Sequence, residues 1–558
     1  MEESRIFGPP GTGKTSSLAT TYIPAAVKRY GKERIMVVSF TRAAAIKIAH
    51  QPSRSTGMPI DIPKGHVGTL HSICFHMLGE PKILETDKGL IQRFNEMHPV
   101  FSISGKTISS VDEINTGSEG DRFLNIYNIK RNRMVEKSMI SSPALRSFIT
   151  KWEQFKSDNN VMDFTDLIET CLKDRPYAPD HPEIIFVDEA QDMTKLQIKL
   201  VRSWGQDMHR VVLVGDDDQA IYLFSGADPR NMLEPSIKKE FTKVLDQSYR
   251  VPQKILDRAN SLISKVTNRK NKKYMARKDK KTNQTIEGKV HTRDATWKYP
   301  DELITEAKDY VKQNKTVMFL ASCSYMLEPL KKKLREQGIP FHNPYRRQRG
   351  DWNPLHGGGA GIQGIDIIKA FLGNGIDEPY WNIPQLLTWA KYIKVGDEGL
   401  IRKQGKEGIT ALENAIENNE QGLHTSRNVL TQIITETAAE KALNRDIAWF
   451  LDTVQQKRMD GLKYPVAVYE QNGLNAIENQ PLLTIGTIHS VKGAEADCVF
   501  LFPDISWQAA SEMRTSIEGR EYMYRVFYVG MTRAKEELIL TEPAVKRAGS
   551  ETRYYIKL

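Results

Sequence analysis

Short runs of apolar residues, each closed by turn chemistry and followed by a helical pattern, recur along the first part of the chain at Arg34–Ser39, Glu183–Val187 and Arg210–Val214. Strands apolar on both faces belong inside a sheet covered on both sides, so this rhythm predicts parallel α/β structure. It returns at Thr316–Ala321, Leu483–Ile488 and Cys498–Phe502, which predicts a second sheet of the same kind. Between these runs, 80–181 and 345–480 change to helical periodicity broken by loop residues and read as insertions. The expected organisation is two parallel-sheet α/β cores, each with a mainly helical inserted subdomain. The first core takes in 1–79 and 182–247, the second 248–344 and 481–558.

At 558 residues the chain is too long for one hydrophobic core, which agrees with that division. Hydrophobic residues at 40% and charged residues at 27% exclude a disordered or fibrous chain. A net charge of +10 favours a polyanionic partner, because lysines and arginines that neutralise phosphates release condensed counterions; it also suits plain solubility, so motifs must decide. The dense basic run Lys265–Lys281, opposed only by Asp279, reads equally as a nucleic-acid patch and as a solvated helix end. Cys74, Cys171, Cys323 and Cys498 lack metal-ligand spacing and point to a reducing, intracellular compartment. No stretch approaches the roughly 20 apolar residues of a membrane span, so a cytoplasmic protein without a membrane partner is expected.

Candidate chemistry sharpens the picture. Gly8-Pro9-Pro10-Gly11-Thr12-Gly13-Lys14-Thr15 fits G-x-x-x-x-G-K-[ST], between a short apolar strand and a helical stretch. Glycines let backbone N–H groups curl around phosphate oxygens, Lys14 reaches the β and γ phosphates, and Thr15 is a Mg2+ ligand. Asp188 and Glu189 close an apolar strand, at the edge where open α/β sheets bind ligands. Asp188 completes the Mg2+ shell and Glu189 polarises the attacking water, although adjacent acids there also suit a helix N-cap. Gln219, after three acids at Asp216–Asp218, is placed to sense the γ-phosphate, and Arg533 to act as an arginine finger in cis. Gly359, Gly361 and Gly364 spell a dinucleotide fingerprint, but no strand precedes them and a glycine-rich loop is the better reading.

Taken in order, GPPGTGKT, SFTRAAA (Ser39–Ala45), GTLHS (Gly68–Ser72), DFTDL (Asp163–Leu167), VDEAQD (Val187–Asp192), VGDDDQAIYLFSGAD (Val214–Asp228), QSYR (Gln247–Arg250), TIHSVKGAEAD (Thr487–Asp497) and YVGMTRAK resemble the superfamily 1 DNA helicases of the UvrD/Rep/PcrA type. The resemblance implies two RecA-like cores with ATP and Mg2+ between them. It implies Arg250 and Arg533 facing the γ-phosphate, Tyr249 stacked on adenine and Glu495 near the ribose. It places Phe40, Thr41, Arg42, Thr69, His71, Tyr222, Phe224 and His489 along a single-strand track. Phe224 stands where tryptophan is usual, and Ala494 where leucine is. The implied activity is ATP-driven 3′ to 5′ translocation on single-stranded DNA with duplex unwinding; a protein-stripping translocase or a nucleotide-switched binding protein is the alternative. Single/double-strand junctions and replication or repair proteins are the implied partners, and the chain is expected to work as a monomer or weak oligomer.

Overall fold

The computed structural model describes residues 2–40, 44–45, 48, 62–105, 117–346, 350–356, 361–373, 380–417, 425–544 and 554–558. Its strands are β1 (Glu2–Phe7), β2 (Ile35–Ser39), β3 (Val67–Gly68), β4 (Ile184–Asp188), β5 (Arg210–Gly215), β6 (Thr242–Val244), β7 (Lys289–Arg293), β8 (Val317–Ala321), β9 (Leu483–Thr487), β10 (Ala496–Leu501) and β11 (Ala534–Thr541). Six form one sheet in the order β3-β2-β4-β5-β1-β6, and five form a second in the order β7-β11-β10-β8-β9. Every paired strand of the first sheet runs parallel, with Ile35 opposite Ile184 and Glu2 opposite Arg210. The fold is therefore the two-core α/β architecture, RecA-like in type, that the apolar runs predict.

The period-two alternation of a strand sorts the first core into two layers. Met36, Val38, Ile185, Val187, Val211 and Leu213 face one way, against Leu70, Ile73, Leu167, Ile168, Leu196 and Leu200 from the helices Leu70–Met77, Phe164–Asp174 and Lys195–Trp204. Ile35, Val37, Ile184, Phe186, Val212 and Val214 face the other, against Leu18, Ile23 and Ala26 of the helical run that follows the glycine-rich loop. Burial on both faces explains why these strands read as uninterrupted apolar runs. It also leaves the strand ends, where chain direction forces a turn, as the place for polar chemistry.

The first insertion is helical. Helices Lys88–Met97, Glu119–Asn132 and Pro143–Asn159 enclose Phe94, Phe148, Trp152 and Phe155, with Phe94 edge-on to Trp152 at 5.1 Å. The DFTDL segment builds its base. Fully buried Asp163 takes both oxygens to Arg131 Nη1 at 2.9 and 2.7 Å, accepts from Lys156 Nζ at 2.8 Å and Trp152 Nε1 at 3.1 Å, and shares a capping box with Asp166. Burial opposes the charge on Asp163, yet Arg131 and Lys156 outweigh it and hold the carboxyl well below the usual range.

By internal contacts the chain divides into two compact units, Met1–Asp294 with Leu320–Ser324 and Thr487–Leu558, and Ala295–Phe319 with Tyr325–Gly486. The second contains the second insertion, again helical, around a stack of Phe371 on Phe450 at 4.3 Å and a cation–π contact of Arg445 over Trp381 at 3.9 Å. Gly364, from the glycine-rich stretch, opens the helix Gly364–Leu372 rather than a nucleotide loop. A Cβ on it would lie 2.0 Å from the carbonyl oxygen of Gly461, so its lack of a side chain serves helix contact. Among the described residues no helix is long and apolar enough to cross a membrane.

Candidate nucleotide and nucleic-acid site

β1 ends at Phe7, and Gly8 donates its N–H to the Gly215 carbonyl at 2.9 Å, which anchors the start of the loop on β5. Gly11 and Gly13 adopt φ +74° and +72°, conformations that L side chains rarely take, and so curl the loop back to a helix starting at Lys14. The Lys14 side chain folds over Gly8, where a Cβ would collide with its Cγ at 2.0 Å, and Nζ donates to the Gly8 carbonyl at 2.9 Å. A cradle of backbone N–H groups and one ammonium has the chemistry to hold an anion.

Across the cradle lie the acids. Thr15 Oγ1 donates to Asp188 Oδ2 at 3.0 Å, while Asp188 Oδ1 is buried with no hydrogen-bond partner. Burial, then the adjacent Glu189 charge, pushes the Asp188 carboxyl up to about 7. An orphaned carboxylate oxygen beside a hydroxyl is the hard oxygen set that Mg2+ takes, so these two residues fit that ion. Burial opposes the charge of Glu189 too, but Lys14 and Lys492 prevail and keep its carboxyl below its ordinary value. The two adjacent acids thus differ in charge state, Asp188 pushed toward its protonated form and Glu189 held ionised.

Segments after residue 247 supply the counter-face. Tyr249 donates its N–H to the Gly11 carbonyl at 2.8 Å, and its ring, 71% exposed, lies 4.0 Å from where a Cβ on Gly13 would stand. That is an open platform for a base. Arg250 Nε donates to Glu495 Oε2 at 2.7 Å, and its Cβ would sit 2.5 Å from a Cβ on Gly11. Arg533 is fully buried, donating to the carbonyls of Val529 at 3.0 Å and Ala494 at 3.2 Å and to Gln219 Oε1 at 3.3 Å. Burial, then the nearby Arg250 charge, pulls its guanidinium down to about 9, so an anion in the cradle would relieve it. Gln219 in turn donates from Nε2 to Asp216 Oδ2 at 2.6 Å. Lys14, Thr15, Asp188, Glu189, Gln219, Arg250 and Arg533 are thereby linked through hydrogen bonds and close charges.

The aromatic candidates form a second group. Phe40 stacks on Tyr222 at 5.1 Å and 25°, Tyr222 meets Phe224 at 5.9 Å, and Phe224 meets His489 edge-on at 5.5 Å. Tyr222 OH donates to the His489 carbonyl at 3.3 Å, and His489 Nε2 lies 2.8 Å from Tyr522 OH. Phe40, Tyr222 and Phe224 are half-buried. His71 packs edge-on against Phe164 at 6.1 Å, outside this cluster. Thr69 caps the helix Leu70–Met77, its hydroxyl accepting from Ser72 N at 3.2 Å. Thr41 and Arg42 lie outside the described residues.

Comparison with known proteins supplies the family. A profile of the UvrD/REP helicase N-terminal domain matches residues 2–242, and one of the UvrD-like helicase C-terminal domain matches 403–543. The chain belongs to the UvrD/Rep helicase family. Similar proteins include the ATP-dependent DNA helicase PcrA of Bacillus subtilis, 24% identical over 96% of this chain and 80% of that protein. A probable DNA helicase II homolog of Mycoplasma capricolum is 25% identical over 96% of this chain and 82% of its own length. The ATP-dependent DNA helicase Rep of Buchnera aphidicola is 25% identical over 60% of this chain and 53% of its own length.

Three features of this UvrD/Rep-family helicase escape a reading by motif. Asp216, Asp217 and Asp218 are all buried, and Lys272 Nζ reaches Asp216 and Asp218 at 3.0 Å each and also pairs with Asp217. Arg269 pairs with Asp218, and Arg525 Nε donates to the Asp217 carbonyl at 3.0 Å. Part of the basic run therefore neutralises this acid turn instead of facing phosphate or water. Gln191 Oε1 accepts from Asp216 N at 3.0 Å, an approach that needs Gly215, where a Cβ would lie 2.2 Å from that oxygen. Ser248 Oγ donates to the Pro10 carbonyl at 2.8 Å, tying the QSYR segment to the loop. A serine in QSYR and a glycine before the acids are visible signals; their partners are not.

Proposed function

We propose that this helicase hydrolyses ATP with Mg2+ held by Thr15 and Asp188, and uses the cycle to move 3′ to 5′ along single-stranded DNA and open duplex at a single/double-strand junction. The Mg2+ ion supplies charge neutralisation of the phosphates when bound. Lys14 and the backbone of Gly8–Thr15 hold the β and γ phosphates, and Tyr249 offers its exposed ring to the adenine. Glu189, ionised beside Lys14 and Lys492, orients the attacking water and accepts its proton. Gln219 reads the γ-phosphate, and Arg250 and Arg533 stabilise charge on the transferring group.

One observation carries the coupling to DNA. Gln219 and Tyr222 stand three residues apart on the same turn, the first touching Arg533 and the second touching Phe40 and His489. A base stacking on the half-buried rings of Phe40, Tyr222 and Phe224 gains about 1–3 kcal/mol without sequence preference, as a translocation track requires. Loss of the γ-phosphate releases Gln219, Arg250 and Arg533 together, which supports alternate tightening and loosening of the cleft.

The test is ATP-dependent strand displacement on partial duplexes with either a 3′ or a 5′ single-stranded tail, with Lys14→Ala as control. Displacement only from the 3′-tailed duplex is expected. Displacement only from the 5′ tail refutes the polarity, and DNA-stimulated hydrolysis without displacement replaces unwinding by protein stripping.

A further inference from the structure

We propose that Lys492 is the positioning residue through which an occupied aromatic track governs the hydrolytic carboxylate Glu189. The inference rests on reading the Phe40–Tyr222–Phe224–His489 cluster as the single-strand track.

Lys492 follows β9 in the TIHSVKG segment, and only 9% of its side chain is exposed. A buried ammonium must find partners for its protons. Here Nζ pairs with the Asp192 carboxylate, donates to the Gln219 carbonyl at 2.8 Å and sits 5.1 Å from the centroid of the Tyr222 ring. These three partners belong to different functions. Asp192 lies on the turn after β4, three residues beyond Glu189. Gln219 is the residue whose side chain meets Arg533, and Tyr222 is the ring stacked on Phe40.

Lys492 also shares a backbone turn with His489. The turn is closed by the Lys492 N–H to the His489 carbonyl and the Val491 N–H to the Thr487 carbonyl, both at 3.3 Å, and by Ser490 N to Thr487 Oγ1 at 3.2 Å. The Tyr222 hydroxyl bonds that same His489 carbonyl. A ring displaced by an incoming base therefore acts on this turn twice, through the hydroxyl contact and through the cation–π contact with Nζ.

On the far side the contacts continue. Gln191 Nε2 donates to Asp192 Oδ2 at 3.3 Å and also bonds a Glu189 oxygen. The chain Tyr222, Lys492, Asp192, Gln191, Glu189 is thus unbroken, and each link is a polar or cation–π contact. The second oxygen of Asp192 is buried without a hydrogen-bond partner, so Lys492 is what principally fixes that carboxylate's place. Contiguity alone does not establish coupling; two sites must bias one element, and here the element is the Thr487–Lys492 turn.

The experiment compares ATP hydrolysis with and without oligodeoxythymidylate in the full chain, for wild type, Lys492→Met, Lys492→Arg and Asp192→Asn. In Lys492→Met and Asp192→Asn the ratio of DNA-stimulated to unstimulated kcat is expected to fall by about 5- to 150-fold, the usual span of coupling between sites, while KM for ATP and DNA affinity stay within about threefold. Lys492→Arg, which keeps a buried cation, should recover most of the ratio. Equal loss of stimulated and unstimulated rates, or an unchanged ratio in Lys492→Met, overturns the proposal. A wild type that single-stranded DNA does not stimulate overturns the track reading and the coupling with it.

Discussion

Arg533 reaches Gln219 Oε1 across 3.3 Å, joining residues 314 positions apart in the chain. The guanidinium is fully buried and depressed to about 9, so its charge is costly until an anion arrives. Arg533→Ala should lower kcat by about 10³- to 10⁵-fold, the range for loss of an arginine finger, with much smaller change in nucleotide affinity. Steady-state hydrolysis and binding of a fluorescent ATP analogue separate the two. Parallel loss of both would make Arg533 a binding residue only.

Gly11 has no room to grow. Its φ is +74° and a Cβ would stand 2.5 Å from the Arg250 Cβ, so Gly11→Ala must move either the loop or the QSYR segment. A displacement on the order of an ångström at a reacting centre costs about 100-fold, and a fall of that size in kcat/KM for ATP is expected. Unchanged kinetics would mean that Arg250 is not held against the loop during turnover.

Asp188 and Asp192 both titrate near 7, each because burial penalises the carboxylate, against an ordinary value of 3.8. At these two positions the native protein holds protons that the unfolded chain has already released, so their contribution to stability falls as pH rises from about 4 to about 7 and then levels off. Nucleotide-free protein should show a Tm declining from pH 5 to pH 7 and nearly constant to pH 8. In Asp188→Asn that decline should be shallower. Identical slopes in the two proteins would show that Asp188 is not the buried carboxylate responsible.

Tyr222 stacks on Phe40 at 5.1 Å. Removing its ring with Tyr222→Ala should weaken nucleotide-free binding of oligodeoxythymidylate by about 5- to 150-fold, corresponding to about 1–3 kcal/mol of stacking. The salt dependence should not change, because no phosphate contact is lost. Anisotropy titrations at several salt concentrations read both quantities, and an altered salt slope with unchanged affinity would contradict the stacking role.

Asp163 holds Arg131 and Lys156 at zero exposure. Asp163→Ala leaves two buried cations short of a partner, and a loss of about 3–5 kcal/mol in unfolding free energy is expected. Urea denaturation measures it; a loss under about 1 kcal/mol would mean that Asp166 and Glu169 take over the charge.

The sheet strands were legible because burial on both faces leaves an uninterrupted apolar run, as Ile184–Val187 and Val317–Ala321 display. The phosphate loop was legible because glycine, lysine and threonine at fixed spacing have a local cause. Phe40, Tyr222 and Phe224 could not be told from core aromatics by spacing; the structure leaves them half-buried, unlike Phe94, Phe148 and Trp152 of the first insertion's core. Long-range ion pairs leave no local mark. Nothing near Lys272 announces Asp217, 55 residues away, and nothing in DFTDL announces Arg131.

The inward turn of Lys272 and Arg269 changes how the basic run can be probed. Lys270 and Lys273 are exposed, while Lys272 between them is sealed among three carboxylates. A charge-reversal scan across these neighbours would report surface potential at two positions and collapse of the strand end at the one between, so averaging the scan as a single electropositive patch would conflate adhesion with architecture.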